Sequence, residues 1–467
     1  MVEIEAQLRA YATAVLYRIE PVTADEVSRA GEAPARSRRR WGLVAAVVLV
    51  VVLAAVPAAW LAWRSSDSGV GSVTSGSQDR KGLPTNWTRI DALSDAKVNA
   101  SASSPKGVVA VGRGIWFSRD AQTWTPVLDP AELDVSSSFQ EGYISDVTAA
   151  GRGFVAAGQA VDPASGQAVA AIWTSPDGQH WSRVRDPALE PPTPFIPAQD
   201  STPTRGSIQA VTRGGPGLIA VGRVFAGQFQ GSTLVSRAYE PAIWTSSDAT
   251  HWKRVNATKA FGKGPSSWTL TDVVAHRGAI IATASVGNAT VIFESPDGAH
   301  WQRIATEPGV FAQVVSYRSQ LVAVGTQNPL TPRSTGPARA AIWTSSDGRH
   351  WRQAAASAPA GMASYTSIAT SGQSLVAVGI RGDYEPAVDG IMSVSNDGHS
   401  WQPVANTGTA FAPRTGLSAV AAFGTHFVAF GSETTQGQGT TVDPYRGRNN
   451  LFISTSPVAA PRDRGRA

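Results

Sequence analysis

One turn recurs down this chain and limits what it can become: a Ser, one residue, an Asp, then three residues and a Trp. It occurs at Ser118, Asp120 and Trp124, at Ser175, Asp177 and Trp181, and at Ser246, Asp248 and Trp252. It returns at Ser295, Asp297 and Trp301, at Ser345, Asp347 and Trp351, and at Ser395, Asp397 and Trp401. A period of roughly 50 residues signals stacked supersecondary units rather than a string of ordinary domains. Before each turn lies a short apolar strand such as Ala171–Trp173 or Ala341–Trp343, and after it another such as Trp181–Val184, which together make a hairpin. Upstream sit two further strand-like runs, for example Ile208–Val211 and Leu218–Val221, so each repeat supplies four strands. The second run reads Val-Ala-Val-Gly or a relative at Val109–Gly112, Leu218–Gly222, Leu321–Gly325 and Leu375–Gly379. Such continuous apolar runs suit strands buried on both faces.

The last repeat has strands at Leu417–Ala421, Phe427–Gly431 and Leu451–Ser454 and then no Trp strand. The missing piece stands at the other end, where Asn86–Ile90 matches Trp181–Val184 and Trp252–Val255 and has no hairpin of its own. The expected fold is all-β: a seven-bladed β-propeller of four-stranded blades over residues 86–457, with the N-terminal strand closing the last blade. Closure protects edges that otherwise invite aggregation. Trp87, Trp124, Trp181, Trp252, Trp301, Trp351 and Trp401 then mark one blade each, and residues 458–467 read as a disordered tail.

Ahead of the repeats, Leu43–Trp63 carries no charge and, at about 1.5 Å per residue, is long enough for a hydrocarbon core of about 30 Å. A transmembrane helix is expected over residues 41–63. Arg36, Arg38, Arg39 and Arg40 precede it and only Arg64 follows, which puts the N-terminus in the cytoplasm and the repeats outside. A cleaved export signal and a twin-arginine signal at Ser37–Trp41 are the competing readings. Residues 1–40 form a short cytoplasmic segment, with Ile4, Leu8, Tyr11, Val15 and Ile19 near one helical face. Residues 64–85, rich in Ser and Gly, read as a flexible tether. Cysteine is absent, which excludes disulfides, thiolate metal sites and cysteine nucleophiles. The formal charge of +5 comes without a basic stripe, so nucleic acid is not an expected partner.

The Ser-x-Asp…Trp turns resemble Asp-box repeats, also called bacterial neuraminidase repeats, and the resemblance covers nearly the whole region after the tether, as in a membrane-anchored bacterial member. It implies that Asp120, Asp177, Asp248, Asp297, Asp347 and Asp397 cap their turns by accepting backbone N–H bonds and that the seven Trp pack between blades. Both roles are structural. The same resemblance brings sialidase chemistry into view, and three departures count against it. Three residues separate Asp from Trp where the usual pattern has four, seven blades replace the six of sialidases, and no Arg-Ile-Pro motif introduces an arginine triad. His180, His251, His300 and His350 each precede the Trp of a different repeat, so they cannot converge on one ion. No metal, cofactor or catalytic residue is assigned.

Insertions fall at residues 128–143, 185–207, 223–241, 326–340, 380–389 and 432–449. These are links between second and third strands or between blades, and both kinds emerge on one face of an up-and-down blade. A rigid scaffold with variable loops on one side suits recognition. On that face Arg223, Tyr239, Glu240, Arg381, Asp383, Tyr384, Glu385, Tyr445, Arg446 and Arg448 are the candidate contacts, because exposed Tyr and Arg are favoured at binding hot spots. The expected function is non-catalytic binding of a protein or glycan by a monomeric propeller in the cell membrane. A glycoside hydrolase, with Asp383 and Glu385 or Glu240 as carboxylates, and a transmembrane sensor are the alternatives.

Overall fold

The computed structural model describes residues 83–93, 98–128, 142–151, 153–162, 167–189, 205–215, 217–226, 228–230, 233–236, 239–256, 258–261, 269–327, 338–356, 362–382, 389–404, 415–424, 426–433 and 449–454. The chain divides into two compact units, Met1–Gln78 and Asp79–Ala467, and the described residues lie in the second. The segment 1–40, the span 41–63, most of the tether and the tail 458–467 lie outside them. Among the described residues no helix is long and apolar enough to cross a membrane.

The described unit is an all-β propeller. Its sheets follow one another along the chain, each an antiparallel meander. The first holds Val98–Ser104, Gly107–Gly112, Ile115–Ser118 and Thr125–Leu128; the second Tyr143–Ala150, Gly153–Val161, Ala168–Ser175 and Ser182–Arg183. The third holds Gly206–Gly214, Gly217–Phe225, Tyr239–Ser246 and Lys253–Val255; the fourth Thr269–His276, Ala279–Val286, Ala289–Ser295 and Gln302–Pro308. The fifth holds Val310–Tyr317, Gln320–Gln327, Arg339–Ser345 and Arg352–Gln353. The last joins Thr415–Phe423, His426–Glu433 and Asn449–Ser454 to the N-terminal strand Trp87–Leu93. These six sheets have four strands.

A further sheet departs from the expected four. Ala363–Thr370, Leu375–Arg381, Asp389–Ser395 and Ser400–Pro403 gain a fifth strand, Ala355–Ala356, which pairs parallel to Ser400–Trp401. The link leaving the fifth sheet thus covers the outer edge of the next, an edge that the bare repeat leaves open. The insertion after Phe225 also holds structure that the repeat pattern does not signal, a ribbon of Gln228–Gln230 with Thr233–Ser236.

First strands of consecutive sheets pack side by side, and Val98–Ser104 packs against Thr415–Phe423, so the series closes on itself. The core is split accordingly into layers between neighbouring sheets. Val155, Ile172, Val211 and Trp244 fill the layer between the second and third sheets; Ile281, Phe311, Leu321 and Trp343 fill that between the fourth and fifth. The second strands are the most deeply covered, with Gly107–Gly112 and Gly153–Val161 buried along their whole length, as their unbroken apolar runs require.

Chain direction sets the two faces. Turns between first and second strands and turns between third and fourth strands share one face, joined by bonds from Lys106 Nζ to Pro176 O (2.7 Å), from Tyr317 Oη to Asn396 O (2.6 Å) and from Gln320 Nε2 to Asp397 O (2.6 Å). The ends of second strands, the starts of third strands and the ends of fourth strands point to the other. Trp87 pairs opposite Ser454, the end of its partner strand, so the N-terminal strand starts on the short-turn face.

Candidate functional site

The recurrent turns are built alike. Asp177 Oδ1 accepts the amides of Gln179 (2.8 Å) and His180 (2.9 Å), the Ser175 hydroxyl donates to the same oxygen, and Trp181 Nε1 donates to Gly178 O at 2.9 Å. The same set recurs around Asp120, Asp248, Asp297, Asp347 and Asp397. Trp87 has no such turn, yet its Nε1 donates to Pro84 O at 2.8 Å, so Leu83–Asn86 stand where the other repeats have their turn. Each of these Trp enters a different layer between sheets: Trp87 beside Leu417, Trp252 beside Val184, Trp351 beside Ile304, Trp401 beside Ile342, with Trp124, Trp181 and Trp301 at the margins of theirs.

The histidines bond locally. Nδ1 of His180, His251, His300 and His350 donates to Oδ2 of Asp177, Asp248, Asp297 and Asp347 at 2.7–2.8 Å. The backbone amide of His180 and then its imidazole hold the Asp177 carboxyl well below the usual range, and His251 does the same for Asp248. Among the described residues no three His, Cys, Asp or Glu gather as a metal site.

The polar groups that do converge lie in the central channel. Near the start of each first strand the pairing with the second strand shifts once, at Val98/Ala100, Ile144/Asp146, Ile208/Ala210, Leu270/Asp272, Phe311/Gln313, Tyr365/Ser367 and Leu417/Ala419. These bulges explain the glycine that ends each Val-Ala-Val-Gly run. A Cβ on Gly158, Gly222, Gly325 or Gly379 would stand 2.0–2.1 Å from the carbonyl oxygen of Tyr143, Ser207, Val310 or Ser364. The extra residue of each bulge and the one after it turn polar side chains into a cavity of about 140 Å³, lined among others by Asn99, Ser145, Asp146, Gln209, Asp272 and Gln313.

Those side chains tie each sheet to the next. Asp146 Oδ2 accepts Val211 N–H of the third sheet at 2.8 Å, and Asp272 Oδ2 accepts Val314 N–H of the fifth at 2.5 Å. Gln313 Oε1 accepts Ile368 N–H at 2.8 Å, and Ser367 Oγ accepts Val420 N–H at 3.3 Å. The second and fourth sheets are preceded by Ala100 and Ala210, which offer no acceptor. There the sheet's own Asp accepts its next amide as well, Asp146 Oδ1 from Val147 and Asp272 Oδ1 from Val273, both at 2.8 Å. The hydroxyl of Ser145 adds a bond to Ile208 O, and Asn99 Nδ2 one to Ile144 O at 2.8 Å. After Ala419 the pattern lapses, and Ser101 Oγ is buried there with no partner among the described residues.

Burial pushes the Asp272 carboxyl up to about 8 and that of Asp146 to about 6, against the pull of the amides they accept. The Asp146 charge adds to the cost of ionising Asp272. Asp272 is 8% exposed whereas Asp146 keeps partial contact with the channel, in line with the larger upward shift at Asp272. Two carboxyls of raised pKa resemble an acid–base pair, but all four oxygens already accept backbone amides. No arginine lines the cavity, and its volume is well below the roughly 300–1,000 Å³ of pockets that enclose small ligands.

The loop-face candidates fall in two places. In the third sheet, the Arg223 guanidinium lies 4.5 Å from the Tyr239 ring centroid and Phe225 meets the same ring edge-on at 5.7 Å. Glu240 is exposed beside them. Arg381, in another sheet, pairs with Asp389 at 3.0 Å. Asp383, Tyr384, Glu385, Tyr445, Arg446 and Arg448 lie outside the described residues.

The channel set was missed at the sequence level although it leaves a trace. Asp146, Asp272, Gln313 and Ser367 each stand twelve positions before the residue facing the bulge (158 − 146, 284 − 272, 325 − 313, 379 − 367). A polar residue in that fixed column, in a strand otherwise reading as core, is the signal.

No protein-family model matches the chain, and no curated protein does. Solved structures that it is similar to include a Trypanosoma rangeli sialidase in complex with sialic acid, 13% identical with a TM-score of 0.43 over 79% of this chain and 58% of that one. An ancestral GH74 enzyme is 11% identical with a TM-score of 0.45 over 80% and 51%. The Neurospora crassa Pan2 WD40 domain is 7% identical with a TM-score of 0.44 over 80% and 96%. The chain spans little more than half the length of the sialidase and the GH74 enzyme. Likeness at this level assigns no activity.

Proposed function

We propose that this chain is a seven-bladed Asp-box propeller, the five-stranded sheet counting as a blade with the six, anchored in the cell membrane through Leu43–Trp63 with residues 1–40 cytoplasmic. Its role is non-catalytic recognition of a protein or glycan through the loop-rich face. The observation that carries this reading is the use of the channel carboxylates: every oxygen of Asp146 and Asp272 accepts a backbone amide that joins or finishes a sheet. A general acid must present its proton to a leaving group, and these carboxyls are spent on the scaffold. Function then falls to the rim, where Arg223 is stacked on Tyr239 next to an exposed Glu240. An ordered guanidinium on an aromatic face is a rigid contact surface of the kind that anchors interfaces.

The test is crosslinking of the full-length tagged protein in its native membrane, followed by mass spectrometry, beside a version carrying Arg223→Ala, Glu240→Ala and Arg381→Ala. A partner captured by the wild type and lost in the variant upholds recognition through this face. Hydrolysis of a glycoside panel that disappears in Asp146→Asn overturns it in favour of a glycoside hydrolase.

A further inference from the structure

The face of the short turns carries a basic arrangement that the loop-face reading does not use and of which the scaffold engages only Lys106 and Arg318. Turns between first and second strands, which ring the channel on that side, hold Lys106, Arg277 and Arg318, and Arg213 stands next to the end of the strand Gly206–Gly214 that leads into another; all are exposed. No described residue of these turns is acidic. The carboxylates of the same face sit in the other class of turn, farther from the axis. In four of those turns the Asp, 30–48% exposed, lies beneath a His that is 83–87% exposed.

Backbone conformation supplies a second and independent observation. Gly151, Gly215, Gly372 and Gly424 take left-handed φ in four of these turns, at 51–83°. In the fourth and fifth sheets the same place is held by Arg277 and Arg318, at φ 50° and 53°. A side chain there crowds its own backbone, and glycine or asparagine is the relaxed choice. The Arg318 guanidinium lies over the Tyr317 ring, 4.9 Å from its centroid, and donates to Gln373 O, whereas no such contact with a described residue offsets the strain at Arg277. Among the described residues neither the Arg213 nor the Arg277 guanidinium has a side-chain partner of the kind that ties Arg349 to Glu294. The chain also enters here, because Leu83–Asn86 take the place of a turn on this face.

We propose that the basic arc of Lys106, Arg213, Arg277 and Arg318 docks the propeller on an anionic phospholipid surface, leaving the loop-rich face turned away from the membrane. The proposal rests on the membrane-anchor reading above, since an anchor that reaches the propeller at Leu83 attaches at this face. Phosphate groups of the headgroups meet the guanidinium groups as charge-assisted donors, and each cation near an anionic surface strengthens partition about fivefold.

The absence of cysteine allows single-cysteine labelling of the whole protein. Full-length Ser319→Cys and Glu240→Cys proteins, each carrying a fluorophore, are placed in liposomes of phosphatidylcholine alone or with phosphatidylglycerol, with a quencher on the lipid headgroup. Docking predicts quenching at Ser319 and not at Glu240, only with phosphatidylglycerol, and reversed by salt. Arg213→Gln with Arg277→Asn and Arg318→Asn is expected to weaken docking roughly 100-fold. Asparagine accepts left-handed φ and offsets the lost Arg318 contacts, so this variant is expected to fold, which its urea midpoint beside the parent's checks. Equal quenching in both lipids, quenching at Glu240, or unchanged docking in the triple variant overturns the proposal. A protein that fails to insert refutes the anchor instead, and sedimentation with phosphatidylglycerol vesicles then decides the docking: binding lost in the triple variant upholds it, and no binding overturns it.

Discussion

Asp272 accepts Val273 N–H at one oxygen and Val314 N–H at the other, and it holds two sheets together from a place where a charge is expensive. The native state keeps a proton on this carboxyl up to a pH of about 8, whereas the unfolded chain releases it near 4. Native protein therefore binds more protons across that window, and stability falls as pH rises through it. Asp146 adds the same trend up to about 6. Asp272→Asn removes the larger part. Its urea midpoint, measured at several values between pH 4.5 and 8, is expected to vary less with pH than that of the parent. The variant should also be less stable than the parent by about 1–3 kcal/mol at the acid end, because the Asn NH2 confronts an amide that needs an acceptor. Parallel pH curves for parent and variant would mean that Asp272 is ionised throughout. The turn aspartates act in the opposite sense, since Asp177 and Asp248 are held below their usual range. Their stabilisation is present above about pH 4 and fades beneath it, outside the window in question.

At the scale of the strand, the bulge decides which residues a repeat tolerates. The first strand gains one residue near its start and swings its carbonyl over the partner, so the facing position admits no Cβ. Gly222→Ala puts a methyl 2.0 Å from Ser207 O and is expected to cost at least about 3 kcal/mol. Gly372→Ala is the contrast, with left-handed φ but nothing within 4 Å, and should cost only about 1–2 kcal/mol. Chemical denaturation of both variants checks the difference, and equal losses would show that the strand at Ser207 gives way to the methyl and that the bulge does not set the requirement. The glycine was legible in the sequence as the end of Val-Ala-Val-Gly, but its cause was not. A bulge leaves no mark of its own on the alternation of a short strand, and only the paired register exposes it. The outer strands show the converse: the Trp181–Val184 run predicted a strand beginning at Trp181, yet the ladder covers only Ser182–Arg183, because Trp181 is turned into the turn bond with Gly178 O.

For the whole molecule, periodicity carried most of what the sequence disclosed. The Ser-x-Asp…Trp turn located the hairpins, and the orphan strand at Asn86–Ile90 foretold the pairing of Trp87–Leu93 with Asn449–Ser454. Convergence was not legible, since the residues of the channel come from strands spread over the entire chain and meet only when the ring closes. The division of labour between faces follows from that closure. Short turns and capped aspartates occupy one side, and Arg223, Tyr239 and Glu240 lie toward the other.

A photocrosslinking residue placed at Glu240 in one full-length protein and at Gln302 in another, both exposed and on opposite faces, tests the account most directly in the native membrane. Recognition through the loop-rich face predicts a defined adduct from Glu240 and none from Gln302. An adduct from Gln302 alone would contradict it.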